Sequence, residues 1–185
     1  MELDSQQRGL VNQYSFKLKE IYKLSGNMEA YKQQLWHLIT KDNPGNIESF
    51  KELKTLYSNE EWEKIREEIF SGLPKYAHVD QLYKEEKLYD RLLEYVLSTE
   101  GLYALREYEK ELKDYYPEEI LQKYADEVNR MATHTADRRR YQEWVAILRR
   151  MSKIKGGKEK VCEIVEHWRF AYRNRPAMMD ELRKL

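Results

Sequence analysis

The chain has 185 residues, 36% of them charged, with only 7 glycines, 4 prolines and one cysteine. Lysine plus arginine equals aspartate plus glutamate at 33 each, so the formal net charge is zero and no global field draws nucleic acid or a membrane surface. One cysteine excludes an intrachain disulfide and a multi-cysteine zinc site, no apolar run is long enough to span a membrane, and the polar N-terminus is not a signal peptide; a reduced, cytoplasmic setting is expected.

The first segment places Leu10, Val11, Tyr14, Leu18, Ile21 and Tyr22 on one helical face and stops at Ser25-Gly26. Asn27 caps a second helix carrying Met28, Tyr31, Leu35, Leu38 and Ile39, which Asn43-Pro44-Gly45 ends. Asn46 caps a third, with Ile47, Phe50, Leu53, Leu56 and Tyr57. Ser58 and Glu61 form a capping-box pattern that opens a fourth, with Trp62, Ile65, Ile69 and Leu73, closed by Gly72 and Pro74. Residues 77–87 make a short fifth helix with Val79, Leu82 and Tyr83. Leu88, Leu92, Leu93 and Val96 mark the sixth, ended near Gly101. Leu102, Leu105, Tyr108, Leu112 and Tyr115 mark the seventh.

Pro117 suits the first position of an eighth helix, with Glu118 and Glu119 beside it where carboxylates complement the helix dipole. That helix carries Ile120, Leu121, Tyr124, Val128 and Met131. After Asp137 a ninth has one apolar stripe at Tyr141, Trp144, Val145, Leu148 and Met151, with arginines over the rest of its surface. Gly156-Gly157 break it. The tenth carries Val161, Ile164, Val165, Trp168, Ala171 and Tyr172 and stops at Arg175-Pro176. The last, Pro176 to Leu185, is short and holds Met178, Met179 and Leu182.

No stretch alternates with period two, so the expected class is all-α. Helix pairs begin near Asn27, Ser58, Leu88 and Pro117, a spacing of about 30 residues and close to the roughly 34-residue tetratricopeptide period. The expected architecture is a right-handed α-α superhelix of degenerate tetratricopeptide-like antiparallel pairs, residues 1–185 forming one helical-repeat domain. A closed up-down bundle is the competing packing. Trp62, Trp144 and Trp168, each on an apolar stripe, are expected in the core.

Several patterns together resemble the helical C-terminal region of bacterial SWIM zinc-finger proteins. They are Leu53-Lys54 with Glu61-Trp62 and Arg66, and Leu82-Tyr83 to Asp90-Arg91-Leu92-Leu93-Glu94. Tyr108 to Leu112 then leads into Tyr116-Pro117-Glu118-Glu119-Ile120 and Tyr124. Arg138 with Tyr141 and Leu148, and the ending Tyr172, Arg175, Ala177, Met178, Glu181 and Leu182, complete the set. The resemblance runs in order from about residue 10 to the end and is greatest over 115–185. The motif that defines that family, Cys-x-Cys followed by Cys-x-His, is absent, so the resemblance implies the fold and neither a zinc nor a DNA role.

His37, His78, His134 and His167 each read as packing or surface residues, and Cys162 as a small buried hydrophobe within its helix stripe. Cys162 with Glu166, and Glu163 with His167, lie one turn apart, a spacing that charged helices produce without any metal. Glu60-Glu61, Glu67-Glu68, Glu85-Glu86 and Glu118-Glu119 point about 100° apart on a helix and cannot act as acid–base dyads. Gly156-Gly157-Lys158 lacks the strand and spacing of a phosphate loop. No cofactor, no metal and no enzyme activity are expected.

The expected function is a non-catalytic scaffold mediating protein–protein interaction, with a partner the residues do not identify. Charge is uneven: residues 84–127 hold 7 basic and 13 acidic side chains, whereas 138–160 hold 9 and 2. The candidate partner-binding face is Arg138, Arg139, Arg140, Arg149, Arg150 and Lys153, with Lys155 beyond it. Pairing of this face with the acidic 84–127 region is the plainer reading; a nucleic-acid-associated module using residues 138–155 is the alternative. Some of the fifteen tyrosines and four tryptophans are expected to line a groove. The N-terminal stripe has only polar-rich sequence before it, so cover from further chain or from a second copy, as in a homodimer, is expected there. The C-terminus reads as a capping unit, and the chain as the C-terminal part or descendant of a longer protein.

Overall fold

The computed structural model describes residues 2–185, with side chains from residue 9 onward. Among the described residues there is no strand, and eleven α-helices follow in order. They are α1 (Glu2–Leu24), α2 (Met28–His37), α3 (Ile47–Lys54), α4 (Asn59–Gly72), α5 (Val79–Glu85) and α6 (Tyr89–Ser98). After these come α7 (Tyr103–Leu112), α8 (Pro117–Ala132), α9 (Arg138–Met151), α10 (Gly157–Ala171) and α11 (Pro176–Leu182). The all-α expectation holds.

Helix starts follow the side chains able to satisfy the first free N–H groups. Asn27 accepts from the Ala30 N–H (3.2 Å) and Asn46 from the Ser49 N–H (2.8 Å). Ser58 and Glu61 close a reciprocal capping box at α4. Asp137 accepts from the Arg140 N–H (2.9 Å) at α9, and Pro117 and Pro176 open α8 and α11. The periodicity does not foresee how α2 ends. It continues into a π-helical turn, Leu38–Asp42, that widens the helix and buries Leu38, Ile39 and Thr40 together. The Thr40 hydroxyl donates to the Trp36 carbonyl (2.8 Å), and the Gly45 N–H closes the turn on the Ile39 carbonyl (2.9 Å).

The chain forms two compact units, Met1–Leu88 and Tyr89–Leu185. The core of the first gathers Tyr31, Leu35, Ile39, Phe50, Leu53, Trp62, Ile69 and Leu82 from α2, α3, α4, α5 and the π turn. Phe50 meets Trp62 edge to face, ring centres 4.9 Å apart. The Trp62 indole N–H donates to Glu86 (3.1 Å), which also receives Lys54 (2.8 Å) and Arg66 (3.1 Å). Burial alone would push the Glu86 carboxyl up; its three donors outweigh that and hold it below the usual carboxylate range.

The first helix leaves most of its apolar stripe open, as expected, and attaches to its unit by the opposite side. Asn12, Ser15, Phe16, Lys19 and Tyr22 are its least exposed residues, and none is fully buried. Ser15 donates to Asp42 (2.5 Å), the Gln34 amide donates to the Ser15 carbonyl (3.3 Å), and Lys19 and Lys23 both reach Glu52 of α3 (2.7 and 2.6 Å). The Tyr31 hydroxyl donates to the same carboxylate. The mostly polar side of α1 thus faces its own unit, while Leu10, Val11, Tyr14, Leu18 and Ile21 face outward.

Glu52 carries a testable consequence. Burial pushes its carboxyl up, but the hydrogen bonds from Lys19, Lys23 and Tyr31 outweigh that and lower it from 4.5 to about 2. A carboxyl whose folded pKa lies below its unfolded one contributes stability above the unfolded value and loses it as pH falls through the folded one. The acid loss of stability in wild type, from 4.5 down to about 2, is therefore expected to be shallower in Glu52→Gln. Denaturation at a series of pH values checks this; parallel wild-type and variant curves would overturn it.

In the second unit each helix packs on the next from α6 to α10; α8 also packs on α10, and α9 on α11. The buried residues include Leu92 and Val96, Leu105 and Leu112, Ile120, Tyr124 and Val128, Tyr141 and Leu148, Val161 and Ile164, and Met178 and Leu182. Arg175, just before α11, donates to the Ala132 carbonyl (2.7 Å) and so satisfies the C-terminal end of α8. Trp62, Trp144 and Trp168 are all buried, as expected from their stripes. Cys162 is not: it is exposed, with its sulfur 3.8 Å from Glu166. It follows Val161 directly, and one step of about 100° carries it off the stripe of Val161, Ile164, Val165 and Trp168.

Candidate functional site

The basic residues of α9 do not form one free surface. Arg138 and Arg149 are eleven residues apart, about three turns, so they share a side of the helix, and both reach the C-terminal segment. Arg138 pairs with Asp180 (2.9 Å) and Glu181 (3.6 Å), and Arg149 donates to the Lys184 carbonyl (2.7 Å). Arg139 and Arg150 share a neighbouring side. Arg139 meets Glu143 one turn on (3.6 Å), both well exposed. Arg150 instead enters a partly buried network: its guanidinium and the Tyr124 hydroxyl both donate to Glu109 of α7 (2.6 and 2.5 Å). Burial first, and the Glu109 carboxylate second, push the Tyr124 hydroxyl well above its usual range. Arg140 and Lys153 form no ion pair among the described residues.

One of these contacts matches the pairing expected with residues 84–127, because Glu109 lies in that stretch. The partners of Arg138 and Arg149 come from α11 and the residues after it, an element whose position the charge pattern does not reveal. The result is a helix tied down on two sides, with Arg140 on it and Lys153 just beyond it as exposed charges outside these pairs.

The second unit also holds an open cleft of about 600 Å³, lined by Leu102, Tyr103, Arg106, Glu107, Met131, Glu143, Trp144 and Ile147. Its apolar lining comes from Leu102 and the ends or faces of α8 and α9, at Met131, Trp144 and Ile147. Its charged lining has both signs, Arg106 with Glu107 and Glu143. Tyr103 is 82% exposed at the start of α7, and Trp144 is 6% exposed. A mostly apolar hollow with a mixed-charge border suits a polypeptide segment better than a phosphate backbone, which needs one sign of charge. The cleft was not visible in the periodicity. Its one sequence signal is Tyr103, a large aromatic off the Leu105–Tyr108–Leu112 stripe.

The four histidines are exposed. Among the described residues no three His, Cys, Asp or Glu side chains converge as metal ligands, and no helix is long and apolar enough to cross a membrane. Comparison with protein-family models, with curated proteins and with solved structures finds no match to this chain.

Proposed function

We propose that this protein is a non-catalytic helical scaffold that mediates protein–protein interaction, and that the cleft of the second unit receives apolar side chains of a partner segment. The observation that carries this reading is the cleft itself: an exposed Tyr103 beside Leu102, Met131, Trp144 and Ile147, edged by charges of both signs. Tyrosine and tryptophan at the centre of such a hollow supply large contact areas with few rotors to order. The neighbour pattern of α8, α9 and α10 supports degenerate tetratricopeptide-like pairs as the framework, and a right-handed superhelix belongs to the same proposal. Kinship with the helical region of SWIM proteins belongs to the same proposal and lends it a framework without a site.

Tyr103→Glu is expected to lose a partner that the wild-type protein retains from its native cell extract. Phe170→Glu should keep it, since Phe170 is similarly exposed on α10 and lines no part of the cleft. Loss by both variants, or by neither, overturns the assignment. The nucleic-acid alternative needs arginines free to meet phosphate, and Arg138, Arg149 and Arg150 are held within the unit. Titration against duplex and single-stranded DNA and RNA at two salt concentrations should show no tight binding. Tight, steeply salt-dependent binding that Arg139→Glu with Arg140→Glu abolishes would replace the scaffold reading.

A further inference from the structure

We propose that the outward face of α1 is a homodimer interface, on which α1 of a second copy lies antiparallel. The starting point is the attachment of this helix by its mostly polar side. Its inner side is held by Ser15, Lys19 and Lys23, so the apolar residues are not needed to fix it in place. Leu10, Val11, Tyr14, Leu18, Ile21 and Leu24 are all exposed, from 37% at Leu18 to 87% at Leu24. At about 100° per residue they occupy one continuous arc opposite Ser15, Phe16 and Lys19. Among the described residues Lys17 is the one charge within the arc, and its ammonium lies toward the ring of its own Tyr14, 5.9 Å from the centre.

The occupant follows from the size and spacing of the face. These six side chains expose on the order of several hundred Å² of mostly apolar surface, the size at which an exposed patch marks an interaction site and a large part of the roughly 800 Å² per partner that a specific interface buries. Val11, Tyr14, Leu18 and Ile21 are separated by 3, 4 and 3 residues, a series identical in both directions. A two-fold axis between Tyr14 and Leu18 therefore sets Val11 of one copy against Ile21 of the other, and Tyr14 against Leu18. The same axis brings Leu10 beside Leu24 on the flank. Every apolar residue of the arc then meets an apolar residue, the self-complementarity a two-fold interface requires. The 3-4-3 spacing is also the seam of helices packed at shallow angles, knob into hole. This inference is independent of the cleft, which lies in the other unit.

Sedimentation equilibrium of the full chain at micromolar concentration should return twice the chain mass. Tyr14→Lys with Ile21→Lys should return the single-chain mass with an unchanged helical circular dichroism spectrum, because both side chains point away from their own unit, and its melting temperature should no longer rise with protein concentration as the wild type's does. In a Cys162→Ser background, Val11→Cys and Ile21→Cys should each fail to cross-link alone under oxidation and should cross-link when mixed. A single-chain mass for the wild type overturns the proposal. A dimer that survives the double lysine variant overturns its location. Cross-linking of either cysteine variant by itself overturns the antiparallel arrangement.

Discussion

Truncating Trp168 to alanine is expected to destabilise the protein by ~3–5 kcal/mol, the range for removing a fully buried aromatic ring. Trp168 is 1% exposed and lies edge-on to Trp144, ring centres 6.2 Å apart, while Trp144 in turn meets Tyr141 at 5.1 Å. The indole does more than fill volume, since its N–H donates to the Asn129 side chain of α8 at 2.7 Å. Removing the ring therefore leaves a cavity among α8, α9 and α10 and strips Asn129 of its donor. Two comparisons separate these effects. Trp168→Phe keeps most of the volume and loses the hydrogen bond, and should cost ~1–3 kcal/mol. Phe170→Ala on the same helix, where the side chain is 78% exposed, should change stability by about 0.5 kcal/mol or less. Urea unfolding followed by circular dichroism gives all three values. A loss under about 1 kcal/mol for Trp168→Ala would show that the neighbouring rings close the space.

Helix positions were legible in the sequence because their signals are local. Asn27, Asn46 and the Ser58–Glu61 pair satisfy N–H groups within three residues, and Pro117 supplies the backbone angle that a first turn needs. The periodicity also grouped most apolar residues of each helix onto one face, Tyr22 of α1 and Cys162 of α10 being exceptions. It does not say which face turns inward when both can bind something. On α1 the apolar stripe is real, yet the inward side is the one whose Ser15, Lys19 and Lys23 find Asp42 and Glu52 on later elements. Those partners are 27 to 33 residues away, beyond the reach of any pattern within one helix. The π turn at Leu38–Asp42 escapes for a similar reason. An extra residue in one turn leaves the apolar spacing of Leu35, Leu38 and Ile39 intact.

The sites divide in the same way. The arginines of α9 were visible as a cluster, but their loss to Asp180, Glu181, the Lys184 carbonyl and Glu109 depends on where α7 and α11 pack. The cleft is built from the outward sides of α7 and α9 and the last turn of α8, residues that no single helical stripe connects. Cys162 shows the limit at the scale of one residue. Adjacent to a stripe in sequence, it is turned to solvent by the helical step.

Gly157→Ala is expected to destabilise the second unit by ~3 kcal/mol, at or beyond the upper end of the usual cost of overpacking. A Cβ at this position would stand 1.9 Å from the Met151 carbonyl oxygen and 2.8 Å from its carbon. That carbonyl cannot swing away freely, since it accepts the Ile154 N–H at 2.9 Å and the Gly157 N–H closes the following turn on Ile154 at 2.9 Å. The conflict is with backbone on both sides, so α9 and α10 must separate or their connecting turn must reform. Gly156 isolates the other reason for glycine here. Its φ is +78°, but a Cβ there meets only Leu121, at an ordinary 3.8 Å. Gly156→Ala should therefore cost only the left-handed backbone penalty, ~1–2 kcal/mol. Gly9, inside α1 with open space around it, provides the opposite sign: alanine there should add ~0.5–1 kcal/mol of helix stability. The three substitutions share one chemical change, the addition of a methyl group, and differ only in what surrounds it. Denaturation midpoints should rank Gly9→Ala above wild type, Gly156→Ala below it and Gly157→Ala lowest. Equal effects at Gly156 and Gly157 would mean that the turn between α9 and α10 yields without cost, and that the approach of α10 to the Met151 carbonyl does not hold the two helices in place.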